Sequence, residues 1–151
     1  MQVISITATD THDLRRRVLR NGTLSDQVVF DGDDDAETFH LGMRDDAGLL
    51  VATSTWLVRP HSAEPDRPAH QLRGMATEPS LQGAGAGSQL LLAGLDRCAR
   101  RGSELVWAHA RSTAVAFYER HGFVVCGDEY VDVATGLPHI DVVTSLASRE
   151  G

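Results

Sequence analysis

The chain has 151 residues, of which 42% are apolar, and a formal net charge of −7. That length and apolar share suit one packed domain over 1–151 and exclude wholesale disorder. The acidic balance argues against nucleic acid as a partner, and no apolar run nears the ~18 residues of a membrane span. Met1–Asp10 lacks the basic start and apolar run of a leader, so a soluble, cytoplasmic protein is expected.

Val3–Ala8 alternates apolar and polar residues and is expected to form a strand. Thr11 or Asp13 offers an N-cap for a helix to about Arg20, which Asn21-Gly22 would end. Residues 22–37 lack a period and are expected to form a loop. Within it Asp31, Asp33, Asp34, Asp35 and Glu37 crowd together. They make either a solvated loop or a local field that draws a cationic amine. Thr38–Met43 and Leu49–Val58 are strand candidates joined by the turn Asp45-Asp46-Ala47-Gly48. The prolines of Pro60–Pro68 mark a surface loop.

Gln71–Thr77 is a further strand, and a glycine-rich stretch follows it. Ser88–Arg101 places Leu91, Leu92, Leu95, Cys98 and Ala99 at helical spacing, with Gly102 closing the helix. Leu105–Ala110 is expected as a buried strand. Ser112–Arg120 is expected as a short helix with Ser112 as its N-cap. Phe123–Val133 and Ile140–Ser145 complete the sheet across the turn Thr135-Gly136-Leu137-Pro138. The order β-α-β-β-β-α-β-α-β-β implies an α/β fold with a mixed sheet. Cys98 and Cys126 suit packed, free thiols, and the seven histidines show no metal-ligand spacing.

The glycine loop, Gln82-Gly83-Ala84-Gly85-Ala86-Gly87, stands between a strand and a helix. The first amides of a helix lack internal partners and carry the positive end of its dipole, so such a loop can cradle phosphate. Gly87 is followed by Ser88 without the lysine of a nucleotide-hydrolase loop. The dinucleotide fingerprint fails too, because Ser88 stands where its third glycine belongs. Gln82, Gly85 and Gly87 fit the pattern Gln-x-x-Gly-x-Gly. Further on, Ala114 to Phe123 fits Ala-x-x-Phe-Tyr-x-x-x-Gly-Phe. These two motifs, each on the expected element, resemble those of the GNAT acetyltransferases over roughly residues 69–133. The outer regions resemble the narrower ElaA-like branch, through Leu14-Arg15, Asp31-Gly32-Asp33-Asp34 with His40, and Gly136-Leu137-Pro138-His139-Ile140. The chain departs from that branch at Gly22-Thr23, Arg111 and Val142, where Glu-Gln, Gln and Met are usual.

The resemblance implies a central mixed sheet of about six to seven strands flanked by helices. It also implies transfer of acetyl from acetyl-coenzyme A to a primary amine, on a small molecule or a protein, without a metal. Gln82, Gly83, Ala84, Gly85, Ala86, Gly87 and Ser88 would then hold the pyrophosphate. Backbone groups at Met75, Ala76 and Thr77 would hold the pantetheine arm and carbonyl, and Arg111 would join the cofactor contacts. Tyr118 would be the general acid, and its bland alternative is a satisfied core aromatic. His139 is the candidate base and suits that task by its ordinary pKa; fixing a turn is the equal alternative. His40 and His109 are weaker options, for which packing or surface roles are expected, and Glu78 and Glu119 are expected as surface carboxylates. Pairing at a sheet edge makes a homodimer a reasonable expectation. Rival readings are an acyl-coenzyme A sensing module without turnover and a nucleotide-binding α/β domain.

Overall fold

In the computed structural model, which describes residues 1–147, seven strands form one sheet. The end of the expected 1–151 domain, residues 148–151, lies outside the described residues. The strands are β1 (Ile4–Ile6), β2 (Phe39–Arg44), β3 (Leu50–Val58), β4 (Ala69–Thr77), β5 (Leu105–Arg111), β6 (Val124–Val131) and β7 (Pro138–Ser145). Their spatial order is β1-β2-β3-β4-β5-β7-β6. Every neighbouring pair is antiparallel except β4 and β5. A parallel pair needs a crossover, and the helix between those strands supplies it. Among the described residues no helix is long and apolar enough to cross a membrane.

The N-terminal helical path runs through a 3-10 turn (Thr9–Thr11), an α turn, α1 (His12–Leu14), and a π turn (Arg15–Leu19). Thr11 stands before α1 as expected but makes no side-chain cap bond. Thr7 Oγ1 accepts from the Asp10 amide at 3.2 Å, and Asp10 Oδ2 accepts from the Thr7 amide at 3.0 Å. This reciprocal pair does the capping. Thr11 is instead buried, donating to the Ala8 carbonyl at 2.6 Å, and Asp13 pairs with Arg17 at 2.9 Å.

The crossover helix is α2 (Ala86–Arg100), whose face of Leu90, Leu91, Leu95 and Cys98 is buried. It packs with Phe39, Leu41, Met43, Trp56, Leu72 and Val106 in one core cluster. Burying each such leucine contributes roughly 1.5–3 kcal/mol. Trp56 runs so close beneath α2 that a Cβ on Gly94 would fall 1.8 Å from its ring. Burial pushes the Cys98 thiol up to about 12, so this cysteine stays protonated and packs as an apolar group. Cys126 is also a free thiol, half-buried on β6.

The short helix α3 (Val115–Arg120) follows a 3-10 turn, Ser112–Ala114. Ser112 does not cap it; its hydroxyl donates to Glu129 on β6 at 2.8 Å.

Candidate active site

The parallel pairing of β4 with β5 lasts for only three registered pairs, Ala69 with Leu105, His70 with Val106 and Gln71 with Trp107. Beyond them β4 stays with β3 as far as Thr77, and β5 stays with β7 as far as Arg111. The sheet therefore opens between β4 and β5. A bulge marks the opening, since Gly74 and Met75 on β4 stand opposite the single residue between Thr53 and Thr55 on β3. Gly74 has φ +62, and its missing Cβ leaves room for Phe30 and Arg15. A bulge turns backbone groups out of the ladder and bends the strand.

The opening holds a cleft of ≈ 250 Å³. Its walls include Gly74 and Met75 of β4, Ala110 and Arg111 of β5, Tyr118 of α3 and His139 of β7. Ala76 is buried, and Thr77 is half-buried at the end of the same strand.

The glycine loop lies just past that end. Gly85 is the N-cap of α2 with φ +93, a conformation that glycine adopts without a steric penalty. Among the described residues, the amides of Gly83, Gly85, Ala86, Gly87 and Ser88 have no protein acceptor. A Cβ on Gly87 would meet the Phe117 ring at 3.5 Å and Thr77 Oγ1 at 4.0 Å. The loop thus sits between the end of β4 and α3. Gln82 braces it by donating to the Thr77 carbonyl at 3.1 Å. The Ala84 amide is turned inward to the Leu81 carbonyl at 3.1 Å.

Tyr118 is buried, with its ring against Phe117 at 5.4 Å and Phe123 at 5.2 Å. Its hydroxyl makes no hydrogen bond among the described residues, and the residue lines the cleft. Burial pushes the phenol up to about 12, so it remains a proton donor at any working pH.

His139 is also buried at the cleft wall. Its Nδ1 lies 2.9 Å from the Leu137 carbonyl. A carbonyl only accepts, so Nδ1 carries a hydrogen, and the tautomer that this bond selects has its lone pair at Nε2. That atom has no protein partner among the described residues. Turn-fixing and an available lone pair, alternatives in the sequence, are here two nitrogens of one ring.

Of the remaining residues, Arg111 departs from its expected place. Arg111 donates to the Leu19 carbonyl, which ties it to the N-terminal helical path rather than to the glycine loop. His40 is structural, with Nδ1 2.8 Å from Thr55 Oγ1 and Nε2 3.0 Å from the Asp33 carbonyl. Glu78 is paired in bidentate fashion with Arg17 at 2.9 Å. His109 lines the cleft, its Nδ1 2.6 Å from Asp141, which also accepts from Tyr130 at 2.6 Å.

The acidic loop does not form an anionic wall. Asp33 is buried and chelates Arg15 at 2.6 and 2.9 Å. Burial alone would raise its carboxyl, but the Arg15 guanidinium and the Phe30 amide outweigh that and hold it below the usual range. Asp31 pairs with Arg59 at 3.1 Å. None of Asp31, Asp33, Asp34 and Asp35 lines the cleft.

Sequence reasoning missed Gln71, Arg73 and Phe30, all of which line the cleft. A signal existed for the first two. Gln71 and Arg73 are polar at strand spacing in a segment flanked on both sides by other strands. Phe30 lies in an aperiodic stretch and gave none.

A family model described as an acetyltransferase (GNAT) domain matches residues 57–145. The chain is 28% identical over 130 residues to the uncharacterized N-acetyltransferase YitI of Bacillus subtilis (strain 168), across 86% of this chain and 87% of that one. Among solved structures, Escherichia coli ElaA superposes with a TM-score of 0.75 at 17% identity, covering 95% of this chain and 98% of its own. An aminoglycoside 6'-N-acetyltransferase complexed with coenzyme A superposes with a TM-score of 0.75 at 13% identity, covering 97% of each chain.

Proposed function

Because the chain belongs to the GNAT acetyltransferase family, we propose that it moves acetyl from acetyl-coenzyme A directly to a primary amine, with Tyr118 as general acid and His139 as general base. The observation that carries this reading is the opened β4–β5 edge, which has free loop amides at one end and an unpartnered phenol on its wall. The amides of Gly83, Gly85, Ala86, Gly87 and Ser88 suit the pyrophosphate, with Gln82 and Ala84 holding the loop's shape. The unpaired edge of β4 over Met75, Ala76 and Thr77 suits the pantetheine arm. Backbone donors at the bulge would polarise the thioester carbonyl as charge develops on its oxygen. A solved relative of the same fold holds coenzyme A. Within the family the Gly136-Leu137-Pro138-His139-Ile140 segment favours the ElaA-like branch.

The amine nitrogen attacks the thioester carbon, forming C–N. The intermediate collapses with cleavage of C–S, and the bonding pair leaves on sulfur. His139 Nε2 takes the proton lost by nitrogen, and the Tyr118 hydroxyl gives one to sulfur. A free thiol in water has a pKa of ~8.5, to which a phenol at about 12 would give its proton only uphill. Desolvation acts on the leaving thiolate as well. It raises the pKa of a thiol, so a thiolate released where water is excluded is a better acceptor for the Tyr118 proton.

The test is release of free thiol from acetyl-coenzyme A across an amine panel. Binding of acetyl-coenzyme A with no thiol release across the whole panel would instead favour a sensing module.

A further inference from the structure

The acceptor side of the cleft holds an excess of positive charge. Arg20, Arg73 and Arg111 line it against a single carboxylate, Asp132. Its Oδ2 is held by its own turn, accepting from the Thr135 hydroxyl at 2.8 Å and the Thr135 amide at 3.0 Å, and its charge acts on Arg20 and Arg111 rather than on Arg73. Arg20 donates to the Gln27 carbonyl at 2.7 Å, and Arg111 to that of Leu19. Arg73 is different. Among the described residues its guanidinium has no hydrogen bond and no ion pair, and it lies 4.6 Å over the Phe30 ring. That ring also carries Arg15 at 3.8 Å and Arg20 at 5.2 Å. Burial, then Arg59 and Arg15, weaken the hold of Arg73 on its proton, with Asp33 opposing them.

A second observation comes from Gln71, which shares a face of β4 with Arg73 because side chains two apart on a strand point the same way. Gln71 is 3% exposed and lines the cleft, yet its Oε1 is buried without a partner. A buried carboxamide oxygen left unpaired and a half-buried guanidinium left without a counter-ion both disfavour the empty state. A planar group with two oxygens, placed against the Arg73 fork, would relieve the uncompensated charge, and the Gln71 carboxamide beside it could turn its N–H toward the same group. The cosubstrate's pyrophosphate is not that group, because the glycine loop begins past Thr77, ~13 Å of extended strand beyond Arg73.

We propose that the acceptor is an amine that also bears a carboxylate, an amino acid in the broad sense, and that Arg73 and Gln71 hold the carboxylate while the amine faces the thioester. This rests on the acetyl-transfer reading and narrows its acceptor. Polyamines and other polycations are disfavoured by the same arginines.

The experiment pairs amino acids of varied side chain with their carboxamides, and adds O-phosphoethanolamine and spermidine. Thiol release from acetyl-coenzyme A gives kcat/KM, and calorimetry on the coenzyme A-loaded protein gives amine affinity. The acid of the best pair should exceed its amide at least about tenfold, as a charge-assisted contact allows. The lower amine pKa of the amides biases the comparison against the idea. Arg73→Met, which keeps the stem over Phe30, should cut that ratio below about threefold, chiefly through KM. Arg73→Lys should keep part of it. Calorimetry with coenzyme A alone should be unchanged in both variants, which shows that they are folded and loaded. Amides or spermidine equal to the acids, preference for the phosphate, a ratio that survives Arg73→Met, or loaded protein that binds no acid would each overturn the proposal while leaving acetyl transfer standing. Failure of the wild-type chain to bind acetyl-coenzyme A would instead sink the underlying reading, and the inference with it.

Discussion

Replacing Tyr118 by Phe removes one oxygen from a site where no protein group depends on it. The hydroxyl has no hydrogen-bond partner among the described residues, and the ring contacts with Phe117 and Phe123, at 5.4 and 5.2 Å, are kept. Stability should therefore stay within about 0.5 kcal/mol of wild type. The rate should not. A positioned acid contributes roughly 10²- to 10⁴-fold, or about 2.7–5.4 kcal/mol of barrier. The assay is thiol release at saturating amine, with calorimetry for coenzyme A affinity and urea unfolding for stability. The pH profile gives a second handle. Because burial raises the phenol to about 12, it stays protonated through the working range, and the wild-type rate should show no alkaline limb below about pH 10. A loss under about threefold in a folded variant that binds coenzyme A normally would reduce Tyr118 to packing. An alkaline limb near pH 8 that vanishes in Tyr118→Phe would contradict the account of its protonation.

Gly87→Asp tests the loop without backbone strain, since the added Cβ makes only ordinary contacts with Phe117 and Thr77. Coenzyme A affinity should fall at least about tenfold through repulsion of phosphate while the fold persists, and unchanged calorimetry would refute the cradle. His139→Ala should slow turnover most near neutrality and recover in part at higher pH, where more amine is already neutral. A pH-independent loss would assign His139 to fixing its turn alone. Asp33→Asn strands the fully buried Arg15 guanidinium and should destabilise by roughly 3–5 kcal/mol in urea unfolding. The Asp33 carboxyl is depressed in the folded state, so its contribution is full above the unfolded pKa of ~3.9 and is lost as pH falls through the lower folded value. A change under about 1 kcal/mol at neutral pH would mean that the pair is dispensable.

The loop and the Tyr118 helix were legible because their signals are local. Glycines before an amphipathic run define a helix start, and the residues that flank Tyr118 repeat a motif on one element. What makes them a site is not local. The cleft exists because pairing between β4 and β5 stops after Gln71, which is a property of register between strands joined through a helix. The acidic loop misled for a similar reason. A run of aspartates is usually a solvated face, and only tertiary structure reveals that Asp33 turns inward to Arg15 and to the Phe30 amide. Thr11 stands before α1 as the sequence suggested but makes no side-chain cap bond, because a 3-10 turn leads into the helix and the reciprocal bonds of Thr7 and Asp10 hold its start.

Charge gives the last lesson about scale. The net charge of −7 argued against nucleic acid, and the acidic loop offered a field that could draw a cation, yet the cleft is lined by three arginines and one carboxylate. The two facts act over different distances. At physiological ionic strength exposed charges are screened beyond ~8 Å, so the acidic surface is a weak, distant field for any small substrate. Inside the cleft the dielectric is lower and screening ions are sparse, so contact with Arg73 outweighs the sum of the surface. Net charge could therefore argue against a nucleic acid, which spans the whole surface, but it could not identify an acceptor that meets only a few side chains.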